Sequence, residues 1–224
     1  MKEAQPTVRP VIGRLAPSPT GYLHLGNAWA FLCAWLGARS AGGRLILRIE
    51  DIDPQRSKTE LIHALREDLR WLGLDWDAGP GQENLDAETP EPGPYLQSLR
   101  LKRYAGALAQ LERRGLAYQC FCTRKELRSM AGAPQAGDAA EGVYTGRCRG
   151  FAPEERAAWL AQGRAFSWRL RFQENLRPEF LRFRDLVYGE IELKPEKAGG
   201  DFAICRSAGV YAYQLAVALD DIAM

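Results

Sequence analysis

The chain has 224 residues, with 30 Lys and Arg against 28 Asp and Glu, a length that suits one large domain, or one domain with an insertion, around a sizeable core. The near balance of charge excludes a global basic field for nucleic acid, so any such contact must come from local clustering of cations. No apolar run approaches the ~20 residues of a membrane span, and no signal-peptide pattern begins the chain. The five cysteines indicate reduced thiols. We therefore expect a cytoplasmic protein without membrane contacts.

The first structural signal is a strand, a loop and a helix around the stretch Gly13–Gly26, which is rich in proline and glycine. Val11–Leu15 is apolar and strand-like, the prolines that follow fix a rigid turn, and Asn27–Ala41 has a helical pattern. His24 and Gly26 lie where that helix begins, and backbone N–H groups with the positive end of the helix dipole favour a phosphate there. The pattern therefore favours nucleotide binding, with an ordinary strand-to-helix corner as the alternative.

A second strand follows this helix at crossover distance. Arg44–Ile49 is an apolar, β-branched run and must lie parallel to the first strand. Arg14 near the end of the first strand and Glu50 at the end of the second place a cation and an anion at the edge where such sheets bind ligands. A zwitterionic amino acid with a phosphate would fit this crevice, and the alternative is an ordinary surface ion pair between the two side chains.

Two further helices and a loop are predicted before residue 115. Ser57 and Glu60 have the spacing of a capping box that opens a helix, and Gly73 ends it. The segment 77–94 is rich in Gly, Pro and acidic residues, which predicts a long surface loop. A second helix is expected over Leu96–Arg114, where apolar residues recur at helical spacing.

Three of the five cysteines bracket one small region of the chain. Leu116–Phe121 is strand-like, Cys120 and Cys122 lie at its end, and Cys148 follows a Gly- and Ala-rich stretch. Three thiolates with a fourth donor, such as Tyr144 or water, are able to hold a tetrahedral zinc ion. Buried or incidental thiols are the alternative, because a bare Cys-x-Cys pair is a weaker signal than two Cys-x-x-Cys pairs.

The region after these cysteines predicts a helix from Pro153 to Gly163, a strand over Phe166–Phe172 and a hairpin over Phe180–Leu193. Strict alternation in the strand indicates a half-buried element with a basic outer face. Together with neighbouring arginines, this face is the best candidate surface for binding an RNA backbone. An equally good explanation of the arginines is that they keep the protein surface soluble. The arginines concerned are Arg164, Arg169, Arg171, Arg177, Arg182 and Arg184.

The last segment, Val210–Met224, is apolar and aromatic apart from Asp220 and Asp221. It ends without a closing turn or a polar tail, which suggests a fragment whose next strand is missing. We therefore expect three parts: residues 1–115 as the first half of a catalytic domain, residues 116–198 as an inserted subdomain, and residues 199–224 as a return to the catalytic domain.

Two stretches carry a resemblance to a known family. Arg14–Gly26 (RLAPSPTGYLHLG) resembles the HIGH-type signature of class I glutamyl-tRNA synthetases, and Arg48–Arg56 (RIEDIDPQR) is similar to the glutamate-site segment of that family. The resemblance extends over nearly all of the chain. It is strongest to the short glutamyl-Q tRNA(Asp) synthetases, which lack an anticodon-binding domain, in Cys120-x-Cys122 with Tyr144-x-x-x-Cys148, Gly200-Asp-Phe202 and Tyr211–Val217.

This resemblance implies an α/β fold: a Rossmann-type parallel-sheet nucleotide-binding domain, incomplete here, with a small inserted zinc-containing α+β subdomain. It implies a monomeric enzyme that activates L-glutamate with ATP and transfers it to queuosine at the wobble position of tRNA(Asp). Two alternatives stay open: the catalytic half of a glutamyl-tRNA synthetase, and a zinc-bearing module that binds glutamate or RNA without catalysis. Because an arginine and a mobile lysine loop of the family have no counterpart before Met224, we expect little adenylation by this chain alone.

The resemblance also assigns roles to individual residues. His24 and Gly26 match the catalytic signature, in which Asn27 replaces the final His. Glu50 would bind the ammonium group of glutamate, and the same substrate would be contacted by Arg14, Ala16, Ser18 and Tyr213. ATP, accompanied by Mg²⁺, would be bound by Pro17, His24, Gly26 and Asn27, and a structural Zn²⁺ by Cys120, Cys122, Tyr144 and Cys148.

Overall fold

The computed structural model describes residues 11–80, 93–130, 144, 146–172, 181–193, 200–207 and 209–224, with only the backbone of residues 128–130. Most of the predicted loop over 77–94, and Arg177, lie outside the described residues. The chain divides into two compact units, Met1–Lys102 with Ala216–Met224 and Arg103–Leu215, and the three-part division stays a prediction. Both units contain helices and strands, so the predicted mixed α/β class is confirmed. In the described ranges, no helix combines the length and the apolar character needed to cross a membrane.

The first unit is built on a strand, a crossover helix and a second strand. β1 (Ile12–Leu15) leads through α1 (Leu25–Ser40) to β2 (Arg44–Leu47), and the two strands pair in parallel with Leu15 opposite Leu47. The parallel pair predicted from the sequence is confirmed. Apolar side chains from these elements and their neighbours form one buried core, which contains Leu15, Ala38, Leu45, Leu47, Ile49, Leu69, Leu74 and Trp76.

The next helix, α2, begins later than predicted and covers Thr59–Trp71. Lys58 takes the N-cap position without a side-chain hydrogen bond, so the predicted capping box at Ser57 is wrong. The reason is local, because the N–H of Ser57 donates to the carbonyl of Asp53 at 3.0 Å and Ser57 thus belongs to the preceding turn.

The helix predicted over Leu96–Arg114 has two parts. Gln97–Arg100 forms a single 3-10 turn, and α3 (Leu101–Arg113) follows it directly. Gly115 lies just beyond α3 with a φ of 68°, in the left-handed region where glycine commonly ends a helix.

A carboxylate closes the N-terminal end of β2. Asp77 Oδ2 accepts hydrogen bonds from the Leu45 backbone N–H at 2.7 Å and from Arg39 Nη1 at 2.8 Å. Burial works against the charged form, but these bonds outweigh it and hold the pKa of Asp77 below its ordinary value. A carboxyl group whose pKa is depressed by folding stabilises the folded state at pH values above its pKa in the unfolded chain. That contribution is lost as the pH falls through the pKa of the group in the folded chain.

We therefore expect Asp77→Asn to lower the free energy of unfolding at neutral pH by about 1 kcal/mol, a modest loss because the Asp77 side chain is 35% exposed. The difference from the unchanged chain should shrink below about pH 4, where the carboxyl group of the unfolded chain becomes protonated. Urea unfolding at neutral pH and at about pH 3 measures both values. An equal loss at the two pH values would contradict the role of the charge.

The second unit contains an antiparallel sheet and a separate hairpin. Its elements are β3 (Ala117–Cys120), α4 (Arg124–Met130), α5 (Pro153–Ala161), β4 (Ser167–Leu170), β5 (Leu181–Asp185), β6 (Gly189–Leu193), β7 (Ala203–Ser207) and β8 (Val210–Tyr211). The sheet has the order β3-β4-β7-β8, and β5 with β6 forms the predicted hairpin. A last helix, α6 (Tyr213–Ala223), begins in this unit and ends in the first.

One face of β4 differs from the prediction. The alternating pattern places Arg169 on a basic outer face, but only 5% of Arg169 is exposed. Its Nη1 donates to the backbone carbonyl of Asp201 at 2.8 Å, and Arg171 Nη2 donates to the carbonyl of Arg149 at 3.0 Å. The prediction is wrong because other segments cover this face: the Arg169 guanidinium lies 4.1 Å from the centre of the Tyr144 ring, and both arginines bond to backbone carbonyls.

Candidate active site and cysteine cluster

The loop after β1 and the end of β2 are joined by backbone hydrogen bonds. The N–H of Arg48 donates to the Leu15 carbonyl at 2.8 Å, and the N–H of Glu50 donates to the Pro17 carbonyl at 3.0 Å. These bonds continue the parallel pairing beyond the strands and set Glu50 against the loop that follows β1. Four of the five predicted glutamate contacts therefore lie at this edge: Arg14, Ala16, Ser18 and Glu50.

Four charged side chains form a continuous set of ion pairs at the same edge. Arg14 binds Asp221 with two bonds, from Nε to Oδ1 at 2.8 Å and from Nη2 to Oδ2 at 3.1 Å. Arg48 donates from Nη1 to the same Oδ1 of Asp221 at 2.7 Å and from Nη2 to Glu50 Oε1 at 3.0 Å. The network thus links two predicted substrate contacts, Arg14 and Glu50, through two residues that had no predicted role.

Burial divides this network into two ends. The Arg48 and Glu50 side chains are 0% and 2% exposed, whereas those of Arg14 and Asp221 are 42% and 39% exposed. Burial works against the charge of Arg48, but its hydrogen bonds to Asp221 and Glu50 outweigh it and raise the pKa of Arg48 above the ordinary value. Because Glu50 is buried, the alternative of an ordinary surface ion pair between Arg14 and Glu50 is wrong.

Sequence reasoning missed Arg48 and Asp221, although a signal for both was present. Arg48 lies within the apolar run Arg44–Ile49, just beyond β2, and Asp221 lies within the apolar pattern of α6. An ionisable residue inside an apolar run needs a partner of opposite charge. Arg48 therefore predicts an acidic residue nearby, and Asp221 predicts a basic one. Asp220, beside Asp221, is also buried and accepts hydrogen bonds from Arg100 Nε at 2.7 Å and Gln97 Nε2 at 2.9 Å.

His24 caps the N-terminus of α1. Its Nδ1 accepts the N–H of Gly26 at 3.1 Å, while Asn27 Oδ1 accepts the N–H of His24 at 3.2 Å. This reciprocal capping supports the first turn, and α1 therefore begins at Leu25, two residues before the predicted start. Because Nδ1 is an acceptor, the neutral ring carries its proton on Nε2, and the exposed side chain presents a donor there.

Gly26 lies in close contact with the His24 ring. A Cβ atom on residue 26 would lie 3.0 Å from Cε1 and 3.1 Å from Nδ1 of the His24 ring. A side chain at residue 26 would therefore require the His24 ring to shift by a few tenths of an ångström. The three residues that match the HIGH-type signature, His24, Gly26 and Asn27, thus interact with one another in the N-terminal cap of α1.

Two further predicted contacts are placed as follows. Pro17 is buried in the loop after β1, and its carbonyl is the acceptor for the Glu50 N–H. Tyr213 is the first residue of α6, is 49% exposed, and belongs to the second unit. The contact of Tyr213 with substrate stays a prediction.

Three thiols of the second unit form a cluster. The Sγ atoms of Cys120, Cys122 and Cys148 all lie within 4.8 Å of one another, and those of Cys122 and Cys148 are 3.6 Å apart. Tyr144 Oη lies 3.4 Å from Cys120 Sγ and 3.9 Å from Cys122 Sγ. A tetrahedron with Zn–S bonds of about 2.3 Å and a Zn–O bond of about 2.0 Å has edges of about 3.5 to 3.8 Å. The four side chains can therefore hold a tetrahedral metal ion after small movements.

Short elements carry the four candidate ligands. β3 ends at Cys120, and Cys122 lies in the connection to α4. Cys148 lies in a single 3-10 turn, Arg147–Gly150, which follows Gly146 with a φ of 82°. The N–H of Cys148 donates to Tyr144 Oη at 2.8 Å, which fixes that oxygen beside the thiols.

The three thiols differ in protonation. A hydrogen bond with Cys148, aided by Tyr144 and opposed by burial, lowers the pKa of Cys120 to about 5. Burial raises the pKa of Cys122, and the hydrogen bond with Cys120 raises the pKa of Cys148. A thiolate at Cys120 beside two thiols is a state from which a bound metal ion displaces the remaining protons.

A buried carboxylate supports the cluster. Asp201 Oδ2 accepts hydrogen bonds from Tyr118 Oη at 2.7 Å and from Arg149 Nε at 2.6 Å. Burial and the Asp201 charge raise the pKa of Tyr118, so the phenol stays protonated as a donor. Because Tyr118 shares β3 with Cys120 and Arg149 follows Cys148, this carboxylate ties the two ligand-bearing segments together.

Residues 10–224 match the sequence family described as class I tRNA synthetases (E and Q), catalytic domain. The chain belongs to this family, and the resemblance predicted from its motif stretches is confirmed. Among its curated relatives are the glutamyl-Q tRNA(Asp) synthetases of Nitratidesulfovibrio vulgaris, 51% identical over 212 residues, and of Symbiobacterium thermophilum, 50% identical over 212 residues. Each of these matches covers 95% of this chain, and the chain spans 62% of the length of these curated relatives.

Glutamate–tRNA ligases are also similar to this chain. The glutamate–tRNA ligase of Symbiobacterium thermophilum is 44% identical over 211 residues, a match that covers 94% of this chain and 42% of the relative. The crystal structure of a glutamate tRNA ligase from Elizabethkingia meningosepticum, in complex with its amino acid, has a TM-score of 0.75 and 29% identity. That similarity covers 96% of this chain and 42% of the solved chain.

Proposed function

We propose that the protein activates L-glutamate with ATP and transfers it to queuosine in the anticodon of tRNA(Asp). One observation carries the amino-acid part of this proposal. The exposed guanidinium of Arg14, near the end of β1, and the buried carboxylate of Glu50, just beyond β2, lie at the carboxyl-terminal edge of the β1–β2 pair. The queuosine part rests on the names of the two relatives that are 51% and 50% identical.

The way in which Arg14 binds Asp221 supports a carboxylate ligand. The two nitrogens of Arg14 meet both carboxylate oxygens of Asp221, which is the two-point geometry that a guanidinium offers to a substrate carboxylate. A carboxylate of the substrate glutamate would replace Asp221 as the partner of Arg14, or would share Arg14 with Asp221. Glu50, whose position is fixed by its bond to Arg48, would receive the ammonium group.

Activation of glutamate needs positioning more than proton transfer. The α-carboxylate would attack the α-phosphorus of ATP in line, and pyrophosphate would leave with the electrons of the broken P–O bond. No general base is required, because the nucleophile is already ionised. The N–H groups at the start of α1 and the Nε2–H of His24 are the donors that would face the phosphates. Mg²⁺ bound with ATP would neutralise charge on the triphosphate.

We further propose that the cysteine cluster holds a structural Zn²⁺, within a subdomain over residues 116–198. Its ligands would be Cys120, Cys122, Cys148 and Tyr144, whose spacing fits a tetrahedral ion. All four positions are filled by side chains, so the ion would have no open site for a substrate, as in other structural zinc sites.

Glutamate-dependent exchange between ATP and pyrophosphate, without tRNA, tests the first step. It should be run on this chain and on a form extended to the full length of the curated relatives. We expect exchange in the extended form with glutamate and none with aspartate or glutamine. Absence of exchange in both forms, despite glutamate binding, would instead favour a binding module, or a glutamyl-tRNA synthetase that needs its tRNA before it activates glutamate.

Replacing Glu50 by glutamine tests the assigned ammonium contact. We expect Glu50→Gln to weaken glutamate binding at least about tenfold, because the ammonium group loses a buried opposite charge. Calorimetric titration of glutamate measures the change. Glu60→Gln, in the exposed first turn of α2, is the matched control and should bind glutamate as the unchanged chain does. Similar affinities for glutamate in the two variants would contradict the assignment of Glu50 as the contact of the ammonium group.

A second candidate function is that of a glutamate–tRNA ligase, favoured by the relative that is 44% identical. Transfer of radiolabelled glutamate separates the two candidates. We expect label on tRNA(Asp) that carries queuosine and none on tRNA(Asp) with an unmodified guanine. Label on the 3′ end of tRNA(Glu) would favour the ligase.

A further inference from the structure

Asp221 lies between two arginines and has no assigned role. Its Oδ1 accepts from Arg14 Nε at 2.8 Å and from Arg48 Nη1 at 2.7 Å, and its Oδ2 accepts from Arg14 Nη2 at 3.1 Å. Arg14 is the proposed carboxylate contact of glutamate, and Arg48 holds Glu50, the proposed ammonium contact. Asp221 thus joins the two ends of the proposed amino-acid site.

A buried arginine keeps Asp221 in place. Arg48 is completely buried, and among the residues that the structure describes its Nε has no hydrogen-bond partner. In that part of the chain its charge is therefore matched by two bonds, to Asp221 Oδ1 and to Glu50 Oε1. If Asp221 moved away to admit a ligand, a buried cation would lose one of these two acceptors, which is strongly unfavourable.

The helix that carries Asp221 is also fixed. Asp220, the preceding residue of α6, is completely buried and accepts from Arg100 Nε at 2.7 Å and from Gln97 Nε2 at 2.9 Å. Both donors belong to the single 3-10 turn before α3, in the same compact unit as Asp221. A movement of α6 that withdrew Asp221 would therefore break these buried bonds as well.

Arg14 keeps a second edge for a ligand. A guanidinium carries five N–H donors, and Asp221 takes only the edge formed by Nε and Nη2. In the described part of the chain, Arg14 Nη1 makes no hydrogen bond. The edge formed by Nη1 and Nη2 is therefore the one that would offer a substrate carboxylate two parallel bonds. The Arg14 side chain is 42% exposed, so a ligand is able to reach it.

We propose that Asp221 is a positioning residue of the amino-acid site: it stays bound to Arg14 and directs the Nη1–Nη2 edge of that guanidinium toward a carboxylate of glutamate. Substrate and Asp221 thus share Arg14, and Asp221 is not displaced. This inference rests on the proposed function, because it takes Arg14 as a contact of glutamate. Asp221 touches the guanidinium and not the substrate.

Two single variants and their double variant test the inference by NMR titration with L-glutamate, after thermal unfolding has shown that each one folds. Asp221→Asn keeps the shape of the side chain but leaves one acceptor oxygen, so the two-point contact with Arg14 is lost. Arg14→Met removes the guanidinium through which Asp221 acts. Asp75→Asn is the matched control, because Asp75 also pairs with an arginine, Arg39, at 3.0 Å, but lies outside the network.

We expect Asp221→Asn to weaken glutamate binding about tenfold, the equivalent of one hydrogen bond to a charged group. In the Arg14→Met background, the same substitution should change the affinity by less than about twofold, since the group that Asp221 positions is gone. Asp75→Asn should bind glutamate as the unchanged chain does. The Nε–H resonance of Arg14, assigned by its absence from spectra of Arg14→Met, should keep its position when glutamate is added, because Asp221 remains its acceptor.

Three results would overturn the inference while leaving glutamate binding intact. Unchanged or tighter binding by Asp221→Asn would show that Asp221 does not help the substrate and, if tighter, competes with it for Arg14. Equal losses from Asp221→Asn with and without Arg14 would indicate a role in the fold alone. A shift of the Arg14 Nε–H resonance on addition of glutamate would show that the substrate displaces Asp221.

Failure of the proposed function has a different signature. If the unchanged chain does not bind glutamate, the proposed amino-acid site is wrong, and the inference with it. If Arg14→Met binds glutamate as tightly as the unchanged chain does, Arg14 is not a contact of the substrate and Asp221 has nothing to position.

Discussion

Arg48→Met should lower the free energy of unfolding by about 3 to 5 kcal/mol, because it removes the buried guanidinium that forms ion pairs with Glu50 and Asp221. The Arg48 side chain is completely buried, and it bonds to Glu50, itself 2% exposed, and to Asp221. Removal of the guanidinium leaves the Glu50 charge in a region of low dielectric. Urea or guanidinium unfolding, followed by circular dichroism, measures the shift in the transition midpoint.

A double variant separates the charge from the packing. In the Arg48→Met background, Glu50→Gln should recover a large part of the lost stability, because it neutralises the buried carboxylate that has lost its ion pair with Arg48. Arg182→Met is the control for an exposed pair: Arg182 bonds to Glu192 at 2.9 Å, but the two side chains are 73% and 46% exposed. Its loss should stay within about 0.5 kcal/mol. Losses of similar size in Arg48→Met and Arg182→Met would refute the buried network.

The parallel β1–β2 pair could be predicted from the sequence because its signals are local. Two short apolar runs, separated by one helical pattern, leave only a right-handed crossover and a parallel pairing. The same logic placed Arg14 and Glu50 at one edge. The start of α1 was predicted two residues late, since histidine is not among the usual N-cap residues and the cap by His24 gives no common pattern.

The partners inside the candidate site could not be predicted in the same way. Arg48 and Glu50 are two residues apart in an extended segment and so share a face, which a strand pattern does predict. Asp221, however, lies 173 residues from Arg48, and no local spacing connects two residues so distant in the chain. Only the presence of an ion inside each apolar run indicated that a partner was needed.

The prediction that one face of β4 is exposed was wrong for a different reason. Alternation indicates which side chains share a face, but it does not indicate what covers that face. Arg169 and Arg171 share a face that the pattern assigned to solvent, and contacts with Tyr144 and with backbone carbonyls bury or partly bury it. Such contacts come from segments far along the chain, so the prediction needed the tertiary structure.

The proposed zinc site predicts that Cys148→Ser abolishes stoichiometric zinc binding and the stabilisation that bound zinc would give. Cys148 is completely buried, its Sγ lies 3.6 Å from that of Cys122, and its N–H fixes Tyr144 Oη. A serine oxygen is a poorer zinc ligand than a thiolate and lies too close to its Cβ atom to reach the same point. With free zinc at about a thousand times its dissociation constant, the unchanged chain should gain about 4 kcal/mol that this variant lacks.

Metal analysis and thermal unfolding, each with and without a chelator, measure the two effects of Cys148→Ser. The matched control is Cys205→Ser, because Cys205 is also a buried thiol but donates to the Ser207 carbonyl at 2.9 Å, outside the cluster. This control should retain one zinc ion and respond to the chelator as the unchanged chain does. Retention of zinc by Cys148→Ser, or loss of zinc from Cys205→Ser, would show that the cluster of Cys120, Cys122 and Cys148 is not the metal site. A chelator without effect on the unfolding of the unchanged chain would show that the ion has no structural role, since a metal that binds only the folded state must stabilise it.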